Sequence, residues 1–347
     1  MIMIKPVDFL IEASAPCRVD TGGTLDIKIF HNLLENKRVA TFNIALDLRT
    51  KVTIEPYQKN KIRVSSGGFE PMEFFYDKVR YDAPLGIIFS IATHFNLKGI
   101  HIKIDSASPP KSGLGGSSAA IVALIYGLLK LKNYNLSTYD TVALAHQIEE
   151  KALNLSCGMQ DHLAAGYGGV NLWEWNRKKN SGPFTRQEIV TDKSSLQNSI
   201  LVAYSGIEHS SISINSKWIK DFSEKKNIDI WRKIANITYD FAASISNGDM
   251  NKAAELMNLE TELRKRITEK LFNSTGEKMI LAARKAECGA RFTGAGGGGC
   301  LWAIGEVKNI IKLRKKWEEI LEPVDNAYIL NTGIDCAGVA ANMIDCD

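Results

Sequence analysis

The sequence lacks the features of membrane, secreted and nucleic-acid-binding proteins. Its longest apolar runs, such as IVALIYGLL, fall well short of the roughly 20 residues that span a bilayer. The start, MIMIKPVDFLIEASAP, contains Asp8 and Glu12 and has no charged-then-apolar signal layout. The net charge is only +4, and no basic stripe with interleaved aromatic residues is present. We therefore expect a cytoplasmic protein that binds neither nucleic acid nor membranes.

The sequence also lacks paired cysteines. Its six cysteines lie at positions 17, 157, 288, 300, 336 and 346, and no two of them form a CxxC pair. Such scattered cysteines are typical of reduced thiols that serve as small apolar side chains. Neither a disulfide framework nor a zinc site is expected from this pattern.

The 347 residues are 45% hydrophobic and 24% charged, which is typical of a globular chain with one large or two ordinary domains. The first half contains the β-rich runs FLIEASAP, RVATFNIALDL, TKVTIEP and KIRVSS, which predict antiparallel strands separated by short turns. The polar stretch NRKKNSGPFTRQE indicates a domain connection, and residues 215–288 are expected to be largely helical. We predict an α+β fold with a strand-rich domain over 1–185, a helix-rich α+β domain over 186–347, and a cleft between them.

The stretch PPKSGLGGSSAAIVALIYGLLKL places a glycine turn directly before an apolar helix, predicted over about 117–132. Backbone N–H groups at such a helix start can converge on an anion, and the helix dipole favours negative charge. The stretch is not a Walker A motif, because no Lys-Ser or Lys-Thr pair follows the glycines. It is therefore interpreted as a phosphate-binding turn, although a purely structural turn has the same composition.

Three acidic residues follow in LAHQIEEKALNLSCGMQDHLAAGYGG, and two of them are candidates for a role in the site. Glu149, on a predicted helix, is a candidate magnesium ligand, because magnesium prefers carboxylate and phosphate oxygens. Asp161, beyond the next turn, is a candidate to orient or deprotonate an attacking hydroxyl. The spacing of these residues is equally compatible with a structural alternative. In it, Glu149 and Glu150 lie on a solvated helix face and Asp161 caps the following helix.

Two further glycine-containing segments favour a binding site. SAPCRVDTGGTLD places Arg18, Asp20 and Asp26 around a second turn, and a buried Arg18 beside Asp161 would stabilise the charge of that carboxylate. GARFTGAGGGGC has four consecutive glycines, which are costly unless the backbone must approach a ligand or another segment closely. The apolar strand CLWAI begins at the end of this run, which argues against a flexible linker.

Together the three segments resemble the signature motifs of the GHMP kinases, a superfamily that includes galactokinase, homoserine kinase, mevalonate kinase and phosphomevalonate kinase. SAPCRVD is similar to the first motif, PPKSGLGGSSAA to the second and FTGAGGGGC to the third, so the resemblance extends over most of the chain. It implies the two-domain GHMP kinase fold, ATP and Mg²⁺ as cofactors, and transfer of phosphate to a small-molecule alcohol.

The resemblance also implies roles for individual residues. Asp161 and Arg18 would be catalytic, and Glu149 with Ser117 or Ser118 would hold the metal. The nucleotide would be bound by the second motif, Pro110, Lys111, Ser112, Gly113, Leu114, Gly115, Gly116, Ser117, Ser118 and Ala119. The acceptor would be bound by Asp20, Gly22, Gly23, Asp26, Gln160, Gly296 and Gly297.

Within the superfamily, CGMQDHLAAGYGGVNLWEW is most similar to the fucokinase and heptose-7-phosphate kinase branch, which implies a sugar acceptor phosphorylated at its anomeric hydroxyl. Three departures are present: Cys17 replaces a glycine, TGGTLD is one residue shorter than the related pattern, and His209 stands where the heptose kinases have arginine. The alternatives are a galactokinase, a kinase for a non-sugar alcohol such as mevalonate, or an inactive nucleotide and sugar sensor.

Overall fold

The structure is a computed structural model that describes residues 9–34, 38–153, 157–176, 182–208, 211–268 and 273–345. These residues form two sheets. The strands are β1 (Phe9–Thr21), β2 (Ala40–Pro56), β3 (Lys61–Ser66), β4 (Met72–Phe75), β5 (Ile100–Ser106), β6 (Val170–Trp175), β7 (Phe184–Glu188), β8 (Ile200–Tyr204), β9 (Gly289–Phe292), β10 (Cys300–Ile304), β11 (Tyr328–Leu330) and β12 (Ala340–Asp345).

The larger, eight-stranded sheet has the order β12-β1-β2-β5-β3-β4, with β6 paired to β2 and β7 paired to β6. All of its pairings are antiparallel except that of β3 with β5. The second sheet has four antiparallel strands in the order β11-β8-β10-β9.

The helices are α1 (Lys28–Leu33), α2 (Gly86–His94), α3 (Gly116–Leu131), α4 (Thr138–Leu153), α5 (Gln160–Tyr167), α6 (Lys193–Asn198), α7 (Ser211–Ser223), α8 (Ile228–Ser246), α9 (Met250–Ile267), α10 (Ser274–Lys285) and α11 (Val307–Leu321). Among the described helices, none is both long and apolar enough to cross a membrane. The α+β fold class is confirmed.

Helix α3 is apolar along most of its length, as expected for a helix enclosed by other elements. It contacts β1, β2, β12, α4 and α5. Its residues from Ser118 to Ile125 are all buried. Such enclosure fixes the start of α3, and with it the glycine turn that precedes the helix.

Two details differ from the sequence prediction. The runs RVATFNIALDL and TKVTIEP form one continuous strand, β2, instead of two strands separated by a turn. Its register with β1 shifts once: Pro16 pairs with Arg49 and Cys17 with Leu46, so Asp47 and Leu48 are the extra residues of a bulge in β2. In the predicted domain connection, Phe184–Glu188 is strand β7, paired with β6, while 177–181 lie outside the described residues.

Strand β12, from the end of the described chain, pairs with β1 and so belongs to the larger sheet. Strand β7 crosses the predicted boundary at 185 and belongs to the same sheet. The division into 1–185 and 186–347 stays a prediction.

Candidate active site

A cavity of about 1050 Å³ is lined by segments that are distant in sequence. The turn before α3 lines one wall, and the start of α5 lies beside it. Further walls come from the turn after β1, from helix α7 and from Gly294 and Ala295 after β9. The three glycine segments recognised in the sequence therefore contribute to one cavity.

The glycine turn before α3 needs residues without a Cβ. Gly113 and Gly115 have φ of 75° and 79°, in the left-handed region that favours glycine. A Cβ on Gly115 would also lie 3.3 Å from Cγ of Asp161. Gly115 immediately precedes the first turn of α3, whose N–H groups have no intrahelical partner. The turn thus presents free donors to the cavity.

Not every residue predicted to bind nucleotide faces this cavity. Pro110, Lys111 and Ser112 line it, together with the glycines and both serines. Leu114 and Ala119 are fully buried and do not line it, so their side chains belong to the core. The Lys111 Nζ atom lies 2.6 Å from Oε2 of Glu208, and Lys111 has φ of 48°, an uncommon conformation for a non-glycine residue.

Arg18 and Asp161 form an ion pair beside this turn. Arg18 Nε donates to Asp161 Oδ1 at 2.8 Å, and its Nη2 lies 2.7 Å from the same oxygen. Arg18 Nη1 donates to the carbonyl oxygen of Gly113 at 2.6 Å. Arg18 is almost fully buried, whereas the Asp161 side chain is 26% exposed and reaches the cavity. A carboxylate that is held at the phosphate turn and is open to a ligand can act on an acceptor hydroxyl.

Glu149 lies beside the first turn of α3. Ser118 Oγ donates to Glu149 Oε2 at 3.4 Å, and His162 Nε2 lies 2.8 Å from the same oxygen. Burial by itself raises the pKa of Glu149, but the neighbouring His162 and His146 and the Ser118 hydroxyl outweigh it and hold the pKa below its ordinary value. An ionised carboxylate and a hydroxyl at the cavity wall suit a magnesium ion. Ser117 is exposed and also lines the cavity.

Asp26 and Gln160 face the same cavity near Asp161. The backbone N–H of Gln160 donates to Asp26 Oδ2 at 3.1 Å, and the Oε1 atom of Gln160 is buried without a hydrogen-bond partner. Burial raises the pKa of Asp26 to about 6, and the negative charge of Asp161 adds to the effect. Both residues line the cavity and are therefore candidates to contact a bound ligand.

Asp20, Gly22 and Gly23 do not line the cavity, although the sequence resemblance implied substrate contacts for them. They belong instead to a buried charge network with α9 and β9. Glu260 Oε1 accepts from the Gly22 N–H at 3.1 Å, and Arg264 Nη2 donates to the Gly23 carbonyl at 2.6 Å.

Arg291 completes this network. Its Nη1 lies 3.0 Å from Glu260 Oε2, and its Nη2 donates to the Gly294 carbonyl at 3.0 Å. Asp20 Oδ1 accepts from the Gly294 N–H at 2.7 Å. Burial alone raises the pKa of Asp20, but Arg291 and Arg18 outweigh it, so the pKa is lowered. The network fixes the turn after β1 against the third glycine segment.

Gly296 and Gly297 are also outside the main cavity. Gly296 lines a separate small pocket with Thr261 and Arg264, and a Cβ on Gly297 would meet Ile214 of α7 at 2.6 Å. Close packing of backbone against α7 explains the absence of a side chain at Gly297. Of this segment, Gly294 and Ala295 line the main cavity. His209, singled out in the sequence, lies outside the described residues.

Sequence reasoning missed two parts of the cavity wall. One part is a set of apolar residues, Phe69, Pro84, Leu85, Ile88 and Ile104. Helix α7 contributes Asn215, Ser216, Ile219, Lys220 and Ser223, which recur at helical spacing on one face. The signal for α7 was this spacing, but an amphipathic helix is also the ordinary pattern of a surface helix.

Comparison with known proteins gives the class of this fold and site. Residues 84–169, which include the turn before α3, Glu149 and Asp161, match the family model "GHMP kinases N terminal domain". The chain is 23% identical over 321 residues to the D-glycero-alpha-D-manno-heptose 7-phosphate kinase of Campylobacter jejuni, covering 88% of this chain and 93% of that protein. It is 25% identical to the mevalonate kinase of Thermococcus sibiricus, covering 85% and 89%.

The fold is shared with solved structures. The crystal structure of Lactococcus lactis galactokinase complexed with galactose superposes with a TM-score of 0.73 at 18% identity, covering 95% of each chain. The match of residues 84–169 and the similarity to kinases over most of the chain confirm the resemblance to the GHMP kinases that the three glycine segments indicated. The enzyme class predicted from the sequence, a phosphotransferase that acts on an alcohol group, is confirmed.

Proposed function

We propose that this protein transfers the γ-phosphate of ATP to the anomeric hydroxyl of a sugar and so forms a sugar 1-phosphate. The observation that carries the proposal is the Arg18–Asp161 ion pair beside the glycine turn of Gly113 and Gly115. This arrangement brings a candidate proton acceptor next to free backbone donors at a helix start.

The cavity supports a position for the nucleotide. Its phosphates would lie against Gly115, Gly116 and Ser117, where backbone N–H groups and the helix dipole favour negative charge. The base would lie against apolar lining residues such as Phe69, Leu85 and Ile88. A pocket that combines apolar lining with a few polar groups is typical of small-molecule sites.

Ser118 and Glu149 fit a magnesium ion, since they supply a hydroxyl and an ionised carboxylate within 3.4 Å of each other. When bound, magnesium would neutralise charge on the phosphate oxygens of ATP. His162, 2.8 Å from Glu149 Oε2, would orient the carboxylate from behind.

Asp161 would orient the acceptor hydroxyl and take its proton. As the acceptor oxygen bonds to the γ-phosphorus, the bond from that phosphorus to the bridging oxygen breaks and ADP leaves with the electron pair. Arg18, fixed by the Gly113 carbonyl and by Asp161, would stabilise negative charge that develops on the acceptor oxygen. Asp26 and the unpartnered Oε1 of Gln160 would bind other hydroxyls of the sugar.

The choice of a sugar rests on two relatives, a heptose 7-phosphate kinase and a galactokinase bound to galactose. The anomeric position has a chemical reason. The ring oxygen withdraws electron density, so this hydroxyl is more acidic than the others and needs a weaker base. An open-chain alcohol is the second candidate, because mevalonate kinases are similar over most of the chain.

The test is an ADP-release assay over free sugars, phosphorylated sugars and mevalonate. Phosphorus NMR of the product then gives the position of the phosphate. We expect a free hexose, deoxyhexose or heptose to react at its anomeric oxygen, and the methyl glycoside of that sugar to be inert. Turnover of the methyl glycoside, or of mevalonate in preference to all sugars, would contradict the anomeric assignment. ATP binding with no turnover of any acceptor would favour an inactive sensor.

A further inference from the structure

A histidine, a glutamate and a cysteine come together around the end of α4, beside the proposed kinase site. A ring nitrogen of His146, a carboxylate oxygen of Glu150 and the Sγ atom of Cys157 all lie within 4.8 Å of one another. We propose that these three residues, the α4 cluster, bind a zinc-like transition-metal ion. The proposal is independent of the kinase function.

The local structure holds the three side chains in place. His146 and Glu150 are one helical turn apart on one face of α4, with His146 Nε2 3.9 Å from Glu150 Oε1. Cys157 comes from the segment after α4, and its carbonyl oxygen accepts a hydrogen bond from His146 Nε2 at 3.1 Å. The third ligand is thus already fixed against the helix that carries the other two.

The ligand distances fit a tetrahedral site. Zinc binds sulfur, nitrogen and oxygen at about 2.0–2.3 Å, so atoms in its coordination shell are about 3.5 Å apart. Closing the cluster from 4.8 Å therefore requires each side chain to move by less than about 1 Å, within the reach of rotamer adjustment. His146 Nε2 would exchange its bond to the carbonyl for the metal, and water would fill the fourth position.

The chemistry of the ligands separates this site from the proposed magnesium site. Imidazole and thiolate are ligands of zinc, cobalt and related ions, whereas magnesium takes oxygen ligands. All three side chains are partly buried, unlike a solvated surface cluster. The end of a helix carries partial negative charge, and Glu149 is next to Glu150 in sequence, so the surroundings favour a cation.

The α4 cluster also contacts His162, the histidine that lies against Glu149. The His146 ring meets the His162 ring edge-on at a centroid distance of 5.5 Å, and His162 lies against Glu149. Cys157 itself borders the main cavity, close to Gln160 and Asp161 in sequence. A metal ion could therefore enter the cluster from the cavity.

The experiment is a titration of the purified full chain with Co²⁺, in excess Mg²⁺ and with no substrate. We expect one Co²⁺ per chain, a thiolate-to-cobalt absorption band in the near ultraviolet, and loss of that band when Zn²⁺ is added. Cys157→Ser should abolish the band. His146→Ala and Glu150→Gln should weaken binding by at least about tenfold, since even changes outside the ligand set cost that much. Cys336→Ser, at an exposed thiol elsewhere, is the matched control.

Absence of the band in the folded wild-type chain would overturn the proposal, as would a band that survives Cys157→Ser. Circular dichroism melts identify any variant that fails to fold, and Cys157→Ala then replaces Cys157→Ser. Because no nucleotide or acceptor is present, the result does not depend on whether the chain is a sugar kinase.

Discussion

Arg291 on β9 and Asp20 on β1 face each other in the protein interior, with Nη2 of the arginine 3.6 Å from Oδ2 of the aspartate. Arg18 approaches the other oxygen of the same carboxylate at 3.6 Å. Asp20 therefore lies between two buried guanidinium groups, one of which also holds Asp161. The carboxylate balances charge at the junction of two glycine segments and has no contact with the cavity.

This position predicts a large loss of stability for Asp20→Asn. The substitution removes a carboxylate that two buried guanidinium groups share, and breaking a buried ion pair typically costs about 3–5 kcal/mol of unfolding free energy. Denaturant unfolding measures the loss. Asp229→Asn is the control, because Asp229 is 86% exposed in its pair with Arg232 and should cost less than about 1 kcal/mol. Equal small losses for both variants would show that the buried pair is not stabilising.

Asp161→Asn should lower turnover by two orders of magnitude or more and leave ATP affinity within a few-fold. The amide keeps the shape of the side chain but cannot accept the acceptor proton, and positioned acid–base groups contribute about 10²–10⁴ in rate. Steady-state kinetics and calorimetry with ATP give the two quantities. Near-normal turnover would make Asp161 a structural partner of Arg18 only.

Glu149→Gln should raise the magnesium concentration needed for half-maximal rate, because a carboxylate ligand becomes a neutral amide. Ser118→Ala should change the same quantity in the same direction but less. Ser117→Ala is the control for the neighbouring hydroxyl, which makes no contact with Glu149 in the described hydrogen bonds. If the magnesium dependence of Glu149→Gln equals that of the wild type, Glu149 is not a magnesium ligand.

Gly115→Val should weaken ATP binding more than it weakens folding. Its φ of 79° disfavours a β-branched residue, and the new Cβ would lie 3.3 Å from Asp161, beside the proposed phosphate path. Gly248→Val is a matched control, because Gly248 has φ of 72° and open space around its Cβ position. Calorimetry and thermal melts compare the two variants. If Gly115→Val and Gly248→Val bind ATP equally well, the turn before α3 has only a structural role.

Asp26→Asn should stabilise the protein at neutral pH. The folded-state pKa of Asp26 is raised from 3.8 to about 6, so the native state binds more protons than the unfolded state between these values. Wild-type stability therefore falls as pH rises through about 4 to 6, by up to about 3 kcal/mol, and the asparagine variant should avoid this loss.

Unfolding at pH 7.5 and at pH 3.5 tests this prediction. The variant should exceed the wild type at the higher pH and match it at the lower one. Its acceptor KM should rise, because a charged hydrogen-bond acceptor of the proposed sugar site is lost. If the variant is no more stable than the wild type at either pH, the folded-state pKa of Asp26 is not raised.

The elements that depend on local pattern could be predicted from the sequence. The turn of Gly113 and Gly115 and the apolar run of α3 could be recognised because backbone conformation and helical burial are encoded by neighbouring residues. Predicted as about 117–132, this helix spans Gly116–Leu131. The three glycine segments indicated the superfamily for the same reason, since each is a short continuous motif.

The pairing of the buried charged residues could not be predicted from the sequence. Glu260 and Arg264 are one turn apart on α9 and, in sequence, are indistinguishable from a solvated helix face. Yet they hold Gly22 and Gly23 in the interior. Asp20 was predicted to touch the substrate, but strand pairing and α9 enclose it. His146, Glu150 and Cys157 converge through the end of a helix and the segment beyond it. Long-range packing sets such contacts, and no local period in the sequence records them.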